Sequence, residues 1–299
     1  MPERIEKATA RLTGDFVESE WFDRFARFGY ASKGVVFLLV GFLAGARAFG
    51  RAGEAEDTPG VIESLQALPF HGVLLVVLAL GLAGYTTWRF AQALLDVEGD
   101  GNGWLGLSKR AIYLGTGIFY GYLAVFAVGV LVGMQSEDNG VQDVTATALE
   151  LTGGEILVGI AGLCVIAGGL NEAFFGLSGR FREEFSHRQM AGWEKVTLAG
   201  AGWWGHVGRG AVYAFIGYLL IRAAVTFDPD EAAGLGDAFE ELGQQPYGWV
   251  LLLVAAAAFA AYGIYCGIIA LHGELDNERA VHGSLEDVGK KRGKEKAEA

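Results

Sequence analysis

Charge is scarce in this chain. Asp, Glu, Lys and Arg make up only 19% of its 299 residues, where a soluble domain carries about 25%. With 52% hydrophobic residues and a positive mean hydropathy, that deficit excludes an ordinary soluble domain and points to a membrane protein. Cysteine is scarcer still. Cys164 and Cys266 both sit inside apolar runs with no Cys or His at ligand spacing, so a disulfide framework or cysteine metal site is not indicated. Each reads as a small hydrophobe in a packed helix. The five histidines, His71, His187, His206, His272 and His282, are spread over loops and span ends, none in a His-x-x-x-His arrangement. No metal site and no cofactor are expected.

Catalytic signatures are missing too. No Gly-x-Ser-x-Gly elbow occurs. The glycine-rich Gly99-Asp100-Gly101-Asn102-Gly103 follows no strand and precedes no Lys-Thr or Lys-Ser pair, so it reads as a turn and not a phosphate loop. The chain is expected not to be an enzyme. Met1 to Leu12 are charged and lack an apolar core followed by a cleavage site, so they do not form a secretory signal peptide. The net charge of −12 gives no reason to expect a nucleic-acid partner.

What the chain has is glycine, 46 residues of it, and a recurring motif. Phe28, Lys33, Phe37 and Gly41 fall at spacings of five, four and four. Trp104, Lys109, Tyr113 and Gly117 repeat this 76 residues on, and Trp204, Arg209, Tyr213 and Gly217 repeat it 176 residues after the first. Each copy opens an apolar run of about 20 residues, long enough to span a bilayer. Six spanning helices are predicted, over about 29–49, 72–94, 110–133, 154–178, 206–226 and 248–271.

Sidedness follows from the basic residues. Counting the residues that flank them, the N-terminus, the 90–110 and 179–209 connections and the C-terminus hold 20 of the 23 Lys and Arg residues; the other side holds Arg47, Arg51 and Arg222. The positive-inside rule then predicts a multi-pass protein of the bacterial inner membrane with both termini cytoplasmic. The three outer connections carry 15 of the 35 acids against those three bases, so the net charge of −12 lies outside. That charge either solvates the loops or gathers cations near an entrance.

Each unit is a spanning helix, an outer connection and a second spanning helix. The connections contain similar stretches, 61–68, 144–151 and 235–242, with apolar residues at three- and four-residue steps. These predict short amphipathic helices at the outer interface. A two-helix unit returns to its starting side, so the three copies must be parallel. The expected fold is an all-α integral membrane protein: six transmembrane helices as three parallel two-helix repeats, pseudo-threefold, with interfacial helices in the outer connections. The predicted divisions are 1–27, a cytoplasmic segment whose Phe16 to Phe28 stretch is an interfacial amphipathic helix; repeats at 28–100, 101–185 and 186–275; and a charged, disordered cytoplasmic tail at 276–299.

The stretches Gly29 to Phe37, Gly205 to Tyr213, Trp88 to Ala93 with Asp96, and Lys109 to Tyr113 resemble the bacterial membrane family catalogued as domain of unknown function 1206. The resemblance covers about 25–275 and implies three two-helix modules in an inner membrane, with no activity attached. The middle copy departs from the pattern, with Arg110 where the others have Gly34 and Gly210. In the second helices, Arg89 corresponds to Asn171 and Tyr265.

The candidate polar residues are Lys33, Lys109, Arg209, Glu172, Asn171 and Arg89, and the repeated stripe is Phe37, Gly41, Tyr113, Gly117, Tyr213 and Gly217. The cations either snorkel to the inner interface beside an aromatic or ring an axial anion site. Glu172 either pairs with one of them, fixing repeat order, or holds a proton or cation. Arg89 reads as an interface anchor beside Trp88. The lipid bilayer is an expected partner. A membrane-protein partner or a second copy of the chain is compatible with the glycine-rich spans, and so is transport along the threefold axis.

Overall fold

The computed structural model describes residues 20–50, 58–67, 69–96, 101, 103–134, 140–185 and 191–272. The predicted tail and the start of the interfacial segment, including Phe16, lie outside them. Every regular element is helical: α1 (Glu20–Ala48), α2 (Thr58–Ser64), α3 (His71–Leu95), α4 (Trp104–Leu131), α5 (Gly140–Leu149), α6 (Gly154–Ser178), α7 (Gly192–Thr226), α8 (Leu235–Gln244) and α9 (Gly248–His272). Six of them, α1, α3, α4, α6, α7 and α9, are long and apolar enough to cross a membrane. The short helices α2, α5 and α8 stand in the three connections where they are predicted.

Two boundaries differ from expectation. From Glu20 onward the predicted interfacial segment is the first part of α1, because nothing between Glu20 and Phe28 breaks a helix. α7 likewise begins at Gly192 and runs for 35 residues. Its start is held by Glu194, whose carboxylate accepts the Ala191 N–H at 2.8 Å.

The chain divides into two compact units: the described parts of Met1–Ser32, Val77–Val125 and Ile269–Ala299, and those of Lys33–Val76 and Phe126–Ile268. In the first unit the core is Tyr85, fully buried. Tyr30 meets its ring edge-on at 5.1 Å and Tyr120 at 4.7 Å. Gly29 lets α1 reach the Tyr85 backbone, and Gly81 leaves room for Ser32. Arg110 donates from Nε to the Ala93 carbonyl (2.7 Å) and from Nη2 to that of Leu94 (3.2 Å), closing the last turn of α3.

The second unit is built on glycine seams. A Cβ on Gly34 would meet the Gly263 carbonyl at 2.9 Å, and one on Gly41 the Ala256 carbonyl at 2.7 Å, so α1 and α9 touch backbone to backbone. α6 and α7 do the same through Gly162 with Gly217 and Gly169 with Gly210. α8 docks by Phe239 on Phe259 at 5.3 Å.

Matching contacts fix the register between repeats. Gly29 faces Tyr85 and Gly205 faces Tyr262; Ser32 faces Gly81 and Gly208 faces Ala258. The first helices are thus 176 residues apart and the second helices 177. Arg89 therefore matches Cys266, one residue beyond the Tyr265 expected.

The middle repeat needs a larger correction. Gly34 meets Gly267 of α9, Gly210 meets Ala173 of α6, and the glycine that meets Phe90 of α3 is Gly117. Tyr85 and Tyr120 likewise reproduce the edge-on pair of Tyr262 and Phe37, which is 4.9 Å apart. Gly117, not Arg110, is the counterpart of Gly34 and Gly210. Thr116, not Lys109, holds the position of Lys33 and Arg209; Tyr120, not Tyr113, that of Phe37 and Tyr213. The motif at Trp104 to Gly117 lies seven residues ahead of the true repeat position. Seven residues make about two turns, so that register falls on the same helix face and imitates the pattern.

Candidate functional site: a buried charge cluster

In the second unit, four spanning helices bring their polar side chains together. α7 contributes His206 and Arg209, one turn apart and therefore on one face. α6 contributes Glu172, α1 contributes Lys33, and α9 contributes Tyr262 and Tyr265. Close approach is steric in origin. Gly176 of α6 lies under His206, where a Cβ would come within 2.9 Å of the histidine Cβ, and Gly205 of α7 admits the Tyr262 backbone.

Three of these polar residues are almost fully enclosed, Lys33 at 4%, His206 at 5% and Arg209 at 5% exposure. Groups of this kind must be paired, since an isolated buried charge is far too costly. Lys33 Nζ donates to the Tyr262 hydroxyl at 3.0 Å. Arg209 lies 3.8 Å from the Glu172 carboxylate and donates to the Tyr213 hydroxyl from Nη2 (3.0 Å) and Nε (3.3 Å). Its guanidinium is 3.5 Å from the Tyr262 ring centre and 4.7 Å from that of Phe37, which is cation–π geometry. Glu172 reaches His206, Oε2 to Nδ1 at 2.6 Å.

The predicted residues therefore sort by place. Lys33, Arg209, Glu172, Phe37 and Tyr213 meet in this cluster. Gly41 and Gly217 lie farther along the same seams. Lys109, in the first unit, and Asn171 are exposed. Lys33 and Arg209 turn inward, while Lys109, displaced from the repeat position, faces outward. Arg89, Tyr113 and Gly117 belong to the first unit. There Arg89 donates to the Tyr85 hydroxyl and to Gln92 Oε1, both at 2.8 Å, and lies 5.4 Å from the Tyr113 ring centre.

In the sequence His206 reads as one of several scattered histidines. Its signal was the spacing to Arg209, three residues on and facing the same way. The corrected register makes its position plainer: His206 stands where the other repeats have Tyr30 and Tyr113. Glu172 stands where they have Arg89 and Cys266. The carboxylate–imidazole pair thus belongs to one repeat seam alone. Among the described residues no group of three metal-ligating side chains occurs.

Fold and cluster define a multi-pass helical membrane protein made of three two-helix repeats, with a network of polar side chains packed among its spans. Residues 28–96, 111–179 and 204–273 each match the family described as Domain of Unknown Function (DUF1206), and the chain belongs to that family. The matches start 83 and 176 residues after the first, the steps that the packing contacts give independently. The chain is similar to the uncharacterized protein YxxB of Bacillus subtilis (strain 168). The two are 34% identical over 245 residues, 82% of this chain and 89% of that protein. No solved structure matches.

Proposed function

We propose that this protein is a non-enzymatic accessory component of the bacterial inner membrane, with both termini cytoplasmic, that binds a partner protein or a lipid through its outward helix faces. The observation that carries this reading is the fate of the repeated stripe in the second unit. Phe37 is buried against Phe259 and Tyr262, and Gly41 and Gly217 are taken up in backbone contacts. A stripe consumed by packing supports a scaffold more than a conduit. The pseudo-threefold order of the repeats belongs to the same proposal. The distribution of Lys and Arg supports the orientation.

The test is a photo-crosslinking residue at Leu163 or Leu170, both on the exposed side of α6, used in native membranes. A discrete adduct with one protein or lipid species is expected. The alternative is transport of a small solute or ion, favoured by the Glu172–Arg209 pair within the spans, since ionisable groups within spans mark pathways. A flux in proteoliposomes that disappears with Glu172→Gln would replace the accessory reading with that one.

A further inference from the structure

We propose that the uncovered face of α6 docks α4 of a second copy of this chain, so that two copies exchange these contacts in the membrane. The argument is repeat equivalence. In the first and third repeats the second helix turns one face to the first helix of its own repeat. Tyr85 lies against Gly29 and Gly81 against Ser32; Tyr262 lies against Gly205 and Ala258 against Gly208. All four of these second-helix residues are buried. In the corrected register the same positions of α6 are Gly168 and Cys164. Both are exposed, and a Cβ on Gly168 would meet nothing within 4 Å. The face continues through Ala161 and Asn171, also exposed. The other repeats have the buried Leu78 and Ala255 at the first of these positions, and the buried Trp88 and Tyr265 at the second. In its most apolar stretch α6 is only 17% buried, against 44% for α3 and 61% for α9. Alone among the second helices, α6 lacks its cover.

The matching face is on α4. The positions of Gly29 and Ser32 fall there on Ile112 and Gly115, both exposed, and a Cβ on Gly115 would meet nothing within 4 Å. Every covered pair sets a glycine against a larger residue, since helices this close leave room for one side chain only. The glycine is Gly29 against Tyr85, Gly81 against Ser32, Gly205 against Tyr262 and Gly208 against Ala258. The open positions keep that rule: Gly168 is the counterpart of Ile112, and Gly115 that of Cys164. The two faces thus complement each other as the covered pairs do, yet each stands open in a single copy. Asn171 favours protein over lipid as the occupant. Its amide both donates and accepts hydrogen bonds, which another helix can answer and hydrocarbon cannot. Copies inserted the same way hold α4 and α6 at matching depths. A twofold axis along the membrane normal then covers both faces at once, α4 of each copy lying on α6 of the other. The inference rests on the reading above that outward helix faces bind a partner, and it names the partner for one of them.

The test is cross-linking of two differently tagged full-length copies produced together in native membranes, both carrying Cys266→Ala. One copy has Ile112→Cys and Cys164→Ala; the other keeps Cys164. A short, membrane-permeant bis-maleimide should join them into a dimer that carries both tags. Replacing Cys164 of the second copy by alanine and adding Leu163→Cys moves the thiol off this face, and the yield should drop several-fold. Gly115→Leu in the first copy points into open space within its own chain, so that copy should still fold, and the mixed dimer should be lost. Three results would overturn the proposal: no mixed dimer, an equal yield from Leu163→Cys, or a bridge that forms only when both cysteines are in one chain. Failure here, with a discrete adduct to a different protein or a lipid still formed from Leu163 or Leu170, would leave the accessory reading standing.

Discussion

Arg89 and Glu172 occupy the same position in the second helices of consecutive repeats and carry opposite charge. Each faces the first helix of the following repeat. Arg89 meets the Tyr113 ring there at 5.4 Å, and Glu172 meets Arg209 at 3.8 Å and His206 at 2.6 Å. The third copy of the position is the fully buried Cys266. One site on a common scaffold thus holds a cation, an anion and a neutral thiol.

Removing the anion should cost more than removing any exposed charge. Breaking a buried pair costs about 3–5 kcal/mol, and the partial exposure of Glu172 reduces this to about half. Glu172→Ala should lower the thermal unfolding midpoint in detergent clearly, and Glu172→Gln less so. An unchanged midpoint in both would show that the pair contributes nothing to the fold.

The corrected register makes Lys33 and Lys109 unequal. Lys109, which is exposed, should tolerate replacement by alanine better than the buried Lys33 does. Lys33→Ala should cost several times more. Thr116→Lys restores a cation at the structurally equivalent place, and it should destabilise, because Arg89 occupies the position where the α6–α7 seam has Glu172. Equal effects of Lys33→Ala and Lys109→Ala would restore the original alignment.

The glycines should separate just as sharply. A Cβ on Gly169 would lie 2.7 Å from the Ala214 nitrogen, so Gly169→Leu must force α6 from α7. Loss of folded protein in a protease-resistance assay is expected. Gly115 has nothing within 4 Å of a built Cβ, and Gly115→Ala should stabilise α4 by about 0.5–1 kcal/mol through reduced chain entropy. Tolerance of leucine at 169 would mean the seam is looser than described.

Tyr262→Phe deletes the hydroxyl that accepts from Lys33 Nζ while keeping the ring under Arg209. The buried ammonium then loses an acceptor, a penalty of about 1–3 kcal/mol. Unfolding should shift accordingly. Lys33→Met in the Tyr262→Phe background should recover part of the loss, since it also removes the ammonium that lost this acceptor. Additive losses would argue against the hydrogen bond.

The sequence makes the helices of this protein easy to read and its site hard. Apolar runs such as Gly248–His272 declare themselves by length alone, and the parallel repeats follow from counting crossings. The register of the middle repeat did not follow, because Lys109-Arg110 offered a basic residue of the right kind two turns too early. Glu172 was visible as an acid inside a span, but its partner was not. His206 resembles any histidine until Gly176 and Gly205 bring α6 and α9 against it, and that convergence is a tertiary fact. The same is true of Tyr262, whose role rests on Lys33, 229 residues away.

The pairs Ser32 with Gly81 and Gly208 with Ala258 have a consequence for how the repeats could be reshuffled. Each pair fills the same gap, but the missing side chain is on the second helix in one repeat and on the first in the other. Transplanting α1 residues into the place of α7 would set a serine against Ala258 with no room for it. The reverse graft would leave a void opposite Gly81. The helices are alike in pattern yet have ceased to be interchangeable parts, and a chimera becomes tenable only when both sides of such a contact move together.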